Sequence, residues 1–344
     1  MTLSLFDEDA AATKEPPVAG DLDRPRRVAA GFTRGDLIFR GVTRSIGVFV
    51  LVLTGSIGLF LGYQILPTVH RYGFSFFTET DWSPYRNVLG VAAVVVGTVQ
   101  IAVIAMLIAF PLALMTALYI SEYAPPWLKP YAVGAIDLMA AIPSIIYGLW
   151  GLFLLAPNAI YLSRWFHQNL GWIPLFEVNT DAHAAAWAQS RYTGSAFIAA
   201  ICVSMMVIPI ACSVMRGVFA EAPIGEREAA YALGATKWGM IRTVVLPFGR
   251  GGIIGGAMLG LGRALGETIA VLLIIAPKFE LKWSVLQTGT DTVSGLIAGN
   301  FGETTSKTQL FALLAAGFVL FVITLSINTV AAVFVGRSRS GAQT

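Results

Sequence analysis

Six stretches of this chain are apolar over twenty residues or more, and a chain built that way folds only where lipid replaces water. They are Ile46 to Leu66, Val88 to Ile120, Tyr131 to Ala156, Thr193 to Met215, Gly251 to Ala276 and Thr308 to Val335. A helix crossing the ~30 Å hydrocarbon core needs about twenty such residues, with its backbone polar groups bonded internally. The second, fourth and sixth stretches carry no charge, and only 12% of the 344 residues are charged while 56% are hydrophobic. Soluble domains carry about 25% charged residues. The predicted fold is an all-α integral membrane domain of six transmembrane helices over residues 45–336. A leader, residues 1–44, precedes it and a short tail, residues 337–344, follows. The leader mixes charges with the pair Pro16-Pro17 and reads as largely disordered up to Phe32. It does not read as a cleavable secretory signal, because about forty polar residues precede the first apolar stretch.

Six spans put both termini on one side, and Lys and Arg decide which. Outside the spans, 15 basic residues fall on the side of the termini and seven on the other. Positive charge collects on the cytoplasmic face, so both termini are expected inside. Trp82, Trp165, Trp172, Trp187 and Trp283 then fall in outer loops, as interfacial anchors or, in the long loop Pro157 to Tyr192, as part of a small cap. Cys202 and Cys212 are ten residues apart in one apolar block. That is roughly 15 Å of helical rise, too far for a disulfide. With three scattered histidines no metal-ligand spacing appears, and no cofactor is expected. Pro111, Pro143 and Pro209 interrupt three spans and predict kinks.

The loop from Arg216 to Arg250 between spans four and five is the most specific segment. Glu221, Pro223 and Glu226 mark a helix start, with negative charge near the positive end of the dipole. Gly234 is a natural stop. A second short helix is predicted from Thr236 to Val245, ended by Pro247. The spacing of Glu228-Ala229-Ala230, Gly234 and Val244-Val245-Leu246-Pro247 resembles the EAA loop of ABC importer permeases. That resemblance implies a coupling element docking on a cytoplasmic ATPase through Glu228, Ala229, Ala230, Gly234 and Pro247. Val244 stands where isoleucine is more usual. The chain has no GxxxxGK run followed by Ser or Thr, hence no phosphate-cradling loop for ATP. It is not expected to be an enzyme.

Three ionisable residues lie inside spans: Asp137, Arg263 and Glu267. Such residues cost several kcal/mol unless paired or hydrated. Asp137, about 9 Å into its span by helical rise, either pairs with a basic neighbour, reaches the headgroups, or belongs to a solute path. Arg263 is at the midpoint of the fifth stretch, with Glu267 four residues on, on the same helical face. Gly252, Gly256 and Gly260 share their arc, and Gly255, Gly262 and Gly266 form a second row beside it. Two readings stand. One is a self-neutralising Arg–Glu pair that fixes packing. The other is an anion path in which the guanidinium fork binds a tetrahedral oxyanion. In that path Glu267 accepts a hydrogen bond from a protonated phosphate oxygen, which sulfate lacks at neutral pH.

The run GGAMLGLGRALGETIAVLLI, with AAIPSIIYGLWGLFLLAP from Ala140 to Pro157, resembles the PstC kind of permease in the phosphate-specific ABC importer. The likeness covers about Ser45 to Val335. It implies type I ABC importer architecture in a bacterial plasma membrane, with Arg263 and Glu267 as the residues of phosphate passage. The implied partners are a PstA-like permease, a PstB-like ATPase dimer and a PstS-like phosphate-binding protein, besides membrane lipid and without nucleic acid. The rival expectation is a permease for another oxyanion, sulfate or molybdate.

Overall fold

The structure is a computed structural model; it describes residues 33–178, 192–275, 277, 279, 281 and 283–340. The disordered leader read from Met1 to Phe32, and Trp187, lie outside the described residues. The chain divides into two units, residues 1–55 and 56–344. In the first, helix α1 (Arg34–Gln64) begins. The Thr33 N–H donates to Asp36 Oδ2 (3.0 Å), placing a carboxylate at the positive helix end. The Thr43 and Thr54 hydroxyls donate to the carbonyls of Phe39 and Val50, both at 2.9 Å, so neither is left unsatisfied in an apolar helix.

Among the described residues six helical runs are long and apolar enough to cross a membrane. They are Arg34–Tyr72, Ala92–Tyr123, Ser144–Leu170, Ala196–Ala220, Lys237–Gly266 and Lys307–Val330. The predicted count holds, and several boundaries move. Val88–Leu89 is not helix; it pairs with Trp82–Ser83 in a two-stranded antiparallel ribbon, and α2 (Ala92–Leu118) follows. The third predicted span, Tyr131 to Ala156, is broken into α3 (Lys129–Ala141) and α4 (Ser144–Trp150) at Ile142-Pro143. Pro143 forces Ile142 into extended backbone, ψ 127°, the restriction proline places on its predecessor. The membrane-length run then continues into α5 (Ala156–Leu170), so the first part of the predicted outer loop is helix.

Pro111 and Pro209 stay inside unbroken helices, α2 and α6 (Ala196–Ala220). Three π turns, Tyr119–Tyr123, Gly151–Leu155 and Ile241–Val245, each end two residues before a proline. A proline lacks the N–H and its ring presses on the carbonyl four residues back; the wider turn relieves both. Pro247 therefore does not stop a helix. The chain runs from Lys237–Met240 through the π turn into α8 (Leu246–Gly266) without interruption.

Helices α2, α6 and α8 form the centre of the second unit. The buried stripe Ala102, Ala105, Ala109, Ala113 and Ala117 on α2 recurs every three or four residues, which keeps one face of the helix small. On α8, a Cβ at Gly249 or Gly252 would fall 2.4 or 2.5 Å from Phe219 or Val218. At Gly256 and Gly260 it would fall 2.9 Å from the Ala211 carbonyl and 2.7 Å from Val207. The first glycine row therefore packs on α6, since small residues let backbones approach without a hydrophobic drive between helices in lipid. Cys202 and Cys212 are free and buried there, as packing residues.

Candidate functional site

The second glycine row leaves space. Around Gly255, Gly262 and Gly266 lies an open cleft of about 690 Å³, lined also by Arg263, Glu267, Thr324 and Asn328. The last two come from α11 (Lys307–Ser340). The two glycine rows divide by helix face, one against α6 and one on the cleft.

Arg263 and Glu267 meet at this cleft but not as predicted. Helix α8 ends at Gly266, and Glu267 is already extended, φ −69° and ψ 128°. The two side chains do not share a helical face, and no ion pair within 4.0 Å joins them. Arg263 is thus near a helix end within the predicted fifth stretch, not midway along a continuous helix, and it has no hydrogen bond or ion pair to any described residue. The self-neutralising pair is not what the structure contains.

Glu267 is held instead by its own backbone. The Ser294 hydroxyl donates to its carbonyl oxygen (2.7 Å), and Glu267 Oε1 accepts from the Ala270 N–H (3.4 Å) at the start of α9 (Ile269–Ile274). The side of α9 is set by the Tyr147-Gly148-Leu149-Trp150-Gly151 run, where a Cβ at Gly148 would fall 2.8 Å from Ala270 Cα. Ser294 belongs to α10 (Val293–Phe301), capped by Thr292 Oγ1, which accepts from the Gly295 N–H at 3.0 Å. Thr98 on α2 binds that corner by accepting from the Val293 N–H (3.0 Å) while donating to Val94 O (2.7 Å). Gly97 admits the corner, since a Cβ there would be 2.1 Å from the Asp291 carbonyl oxygen. Asp291 is buried beside it with Oδ1 accepting from the Thr292 N–H (2.7 Å). Burial pushes its carboxyl up to about 6, the Thr292 bond pulling the other way. These residues were not singled out in the sequence, where they read as an ordinary polar loop.

Asp137 is elsewhere. Its Oδ1 lies 3.9 Å from Arg216 Nη2, a loose pair at the far end of α6, and it does not line the cleft. The basic neighbour is the alternative that the geometry supports.

The segment between spans four and five holds α7 (Ile224–Ala232). Gly234 then takes φ +82°, a left-handed backbone that costs residues with a Cβ about 1–2 kcal/mol. The Ala235 N–H returns to Ala230 O (3.0 Å), closing the helix end, and Thr236 caps the next turn by accepting from Gly239 N–H (3.1 Å). Glu228 and Ala229 are exposed and Ala230 half-buried. Around them Ile224, Tyr231, Leu233 and Trp238 are exposed, Leu233 at 89%. Two side chains whose contacts the sequence did not announce tie the segment down. Arg227 Nη1 is 3.1 Å from both carboxylate oxygens of Glu122, and its Nη2 donates to Phe219 O (2.6 Å). Lys237 lies 4.7 Å from the Tyr123 ring centroid.

A bundle of apolar helices, an open cleft with one unpaired arginine among the described residues, and a helix–glycine–helix segment are the parts of a membrane transport subunit. Residues 109–340 match the binding-protein-dependent transport system inner membrane components, and the chain belongs to that family. It is similar to the phosphate transport system permease protein PstC of Xylella fastidiosa strain Temecula1, at 41% identity over 299 residues, covering 87% of this chain and 90% of that one. It is likewise similar to the phosphate transport system permease protein PstC 2 of Mycobacterium tuberculosis strain H37Rv, at 36% identity over 333 residues, 96% and 98% of the two chains. A solved bacterial ABC transporter involved in import of the acidic polysaccharide alginate shares the fold, with TM-score 0.51 at 17% identity over 87% of this chain and 98% of that one.

Proposed function

We propose that this chain is the permease subunit of an ATP-driven inorganic phosphate importer, forming the translocation path with a second permease. The observation that carries it is Arg263, a guanidinium without a counter-ion facing a cleft between apolar helices. An arginine within a membrane protein's spans is costly unless it is paired or hydrated, and an anionic cargo supplies the missing partner while bound. Glu267, buried on the same cleft, accepts a hydrogen bond from a protonated oxyanion. Phosphate has that proton at neutral pH and sulfate does not. The names of the relatives support the same cargo. Phosphate uptake by vesicles holding the complete complex, with excess sulfate competing, is the direct test. Absence of uptake, or equal competition by sulfate, removes the phosphate assignment.

The chain itself handles no ATP. Its partners in this reading are a PstA-like permease, two copies of a PstB-like ATPase and a PstS-like phosphate-binding protein. The exposed apolar residues beside Glu228, Ala229 and Ala230 supply an ATPase-docking surface, with Gly234 making its turn and Pro247 lying within the helical run that follows. Both termini are cytoplasmic, on the strength of the 15 basic residues on their side. A Lys237→Cys variant lacking Cys202 and Cys212 should resist an impermeant thiol reagent in intact cells and react once the membrane is opened. Labelling before opening would invert the topology.

A further inference from the structure

The sixth span is free of charge from Thr308 to Val335, yet it turns two polar side chains onto the cleft, Thr324 and Asn328. They are four residues apart, so they stack on one helical face. Their hydrogen-bonding states differ. The Thr324 hydroxyl donates to Leu320 O (2.8 Å), so its proton is committed within the helix. Asn328 makes no hydrogen bond to a described residue. Its Oδ1 comes to 3.9 Å from where a Cβ would stand on Gly262, the residue before Arg263. That is ordinary contact and satisfies nothing. The Asn328 side chain is exposed at the open cleft, and a carboxamide carries two N–H donors and a carbonyl acceptor, all of them open to a solute there.

We propose that Asn328 is a second ligand for the transported anion, acting with Arg263 across the cleft. Its Nδ2–H donates to a phosphate oxygen held on the guanidinium, and its Oδ1 accepts from a protonated phosphate oxygen. The amide thereby recognises both an ionised and a protonated oxygen of one anion, which a fully ionised sulfate does not offer. No covalent step is involved. The inference rests on the phosphate reading of the cleft and adds a named contact to it.

The test uses the four-subunit complex in proteoliposomes, with phosphate uptake, ATP hydrolysis stimulated by the phosphate-loaded binding protein, and complex yield measured on each variant. Asn328→Leu, similar in size and at home in an apolar helix, is expected to assemble and hydrolyse ATP normally. Phosphate moved per ATP should fall at least about tenfold, since leucine removes both amide hydrogen bonds to the anion. Asn328→Asp keeps the acceptor and adds a negative charge facing the anion, and is expected to fall at least as far. Uptake by Asn328→Leu within twofold of the unmodified complex overturns the proposal, and so does a loss of uptake that only follows a loss of yield. Arg263→Gln in parallel separates the two levels. If the unmodified complex imports nothing, the cleft reading itself has failed. If Arg263→Gln abolishes import while Asn328→Leu leaves it intact, only the role of Asn328 is lost.

Discussion

A complex carrying Arg263→Gln is expected to assemble in full yield and to import no measurable phosphate. Removing the guanidinium takes away two charge-assisted hydrogen bonds at once, each about 1.5–3 kcal/mol, which is more than a hundredfold in anion occupancy. Assembly should not suffer, because no hydrogen bond or ion pair joins Arg263 to another described residue and its loss strands no buried partner. Arg263→Lys should recover little, since an ammonium is a point charge without the two-pronged donor geometry. Glu267→Gln is informative for the same reason. Were the two residues a packing pair, it would leave an uncompensated arginine and cost assembly several kcal/mol. With the two unpaired, and Glu267 held through its backbone by Ser294, assembly should survive while uptake falls and sulfate competes better. Yield and uptake, measured on each variant, decide it. Full uptake by an assembled Arg263→Gln complex would exclude Arg263 as an essential anion ligand.

The second large effect is expected at Glu122 and Arg227. The Glu122 side chain is 4% exposed and that of Arg227 21%, so their bond is shielded from water. Losing one member of a buried pair costs about 3–5 kcal/mol, because the survivor is left charged and unpaired. Glu122→Gln or Arg227→Met should therefore loosen α7 from the end of span two. The measured consequences are weaker co-purification of the ATPase and fewer phosphates moved per ATP. The double variant leaves no lone charge, so it should recover a substantial part of the loss in a double-mutant cycle. Strictly additive losses in the double variant would mean that the pair is not the link. Phosphate binding to the cleft should be unchanged in all three, which separates coupling from cargo recognition.

Much of this protein is a consequence of sequence alone, and the reason is that hydropathy is a local sum. Twenty apolar residues must cross or bury whatever lies around them, so the six spans were legible from Ile46 to Val335. The positions of Gly234 and of the α7 start were legible too, because helix caps and positive φ are properties of a few adjacent residues. The two glycine rows on α8 also followed from the 100° step of the helix. Prolines were only half legible. Pro143 broke a span, Pro111 stayed inside a continuous α-helix with no widened turn before it, and Pro247 was absorbed by a π turn.

Pairing was decided by the tertiary structure. Arg263 and Glu267 are four residues apart, and on an uninterrupted helix they would stack. What separates them is the end of α8 at Gly266, where Ser294 and α10 bind the Glu267 carbonyl from 27 residues away. Asp137 takes its partner from α6, and Glu122 from a residue 105 positions along the chain. Asn328 acquires meaning only because α11 lies beside Gly262. Such contacts depend on which helices become neighbours, and in lipid that is settled by the fit of small residues over whole helix faces. No window of sequence contains that sum, so Arg263 and Glu267 could be named from the chain while the arrangement that leaves them unpaired could not.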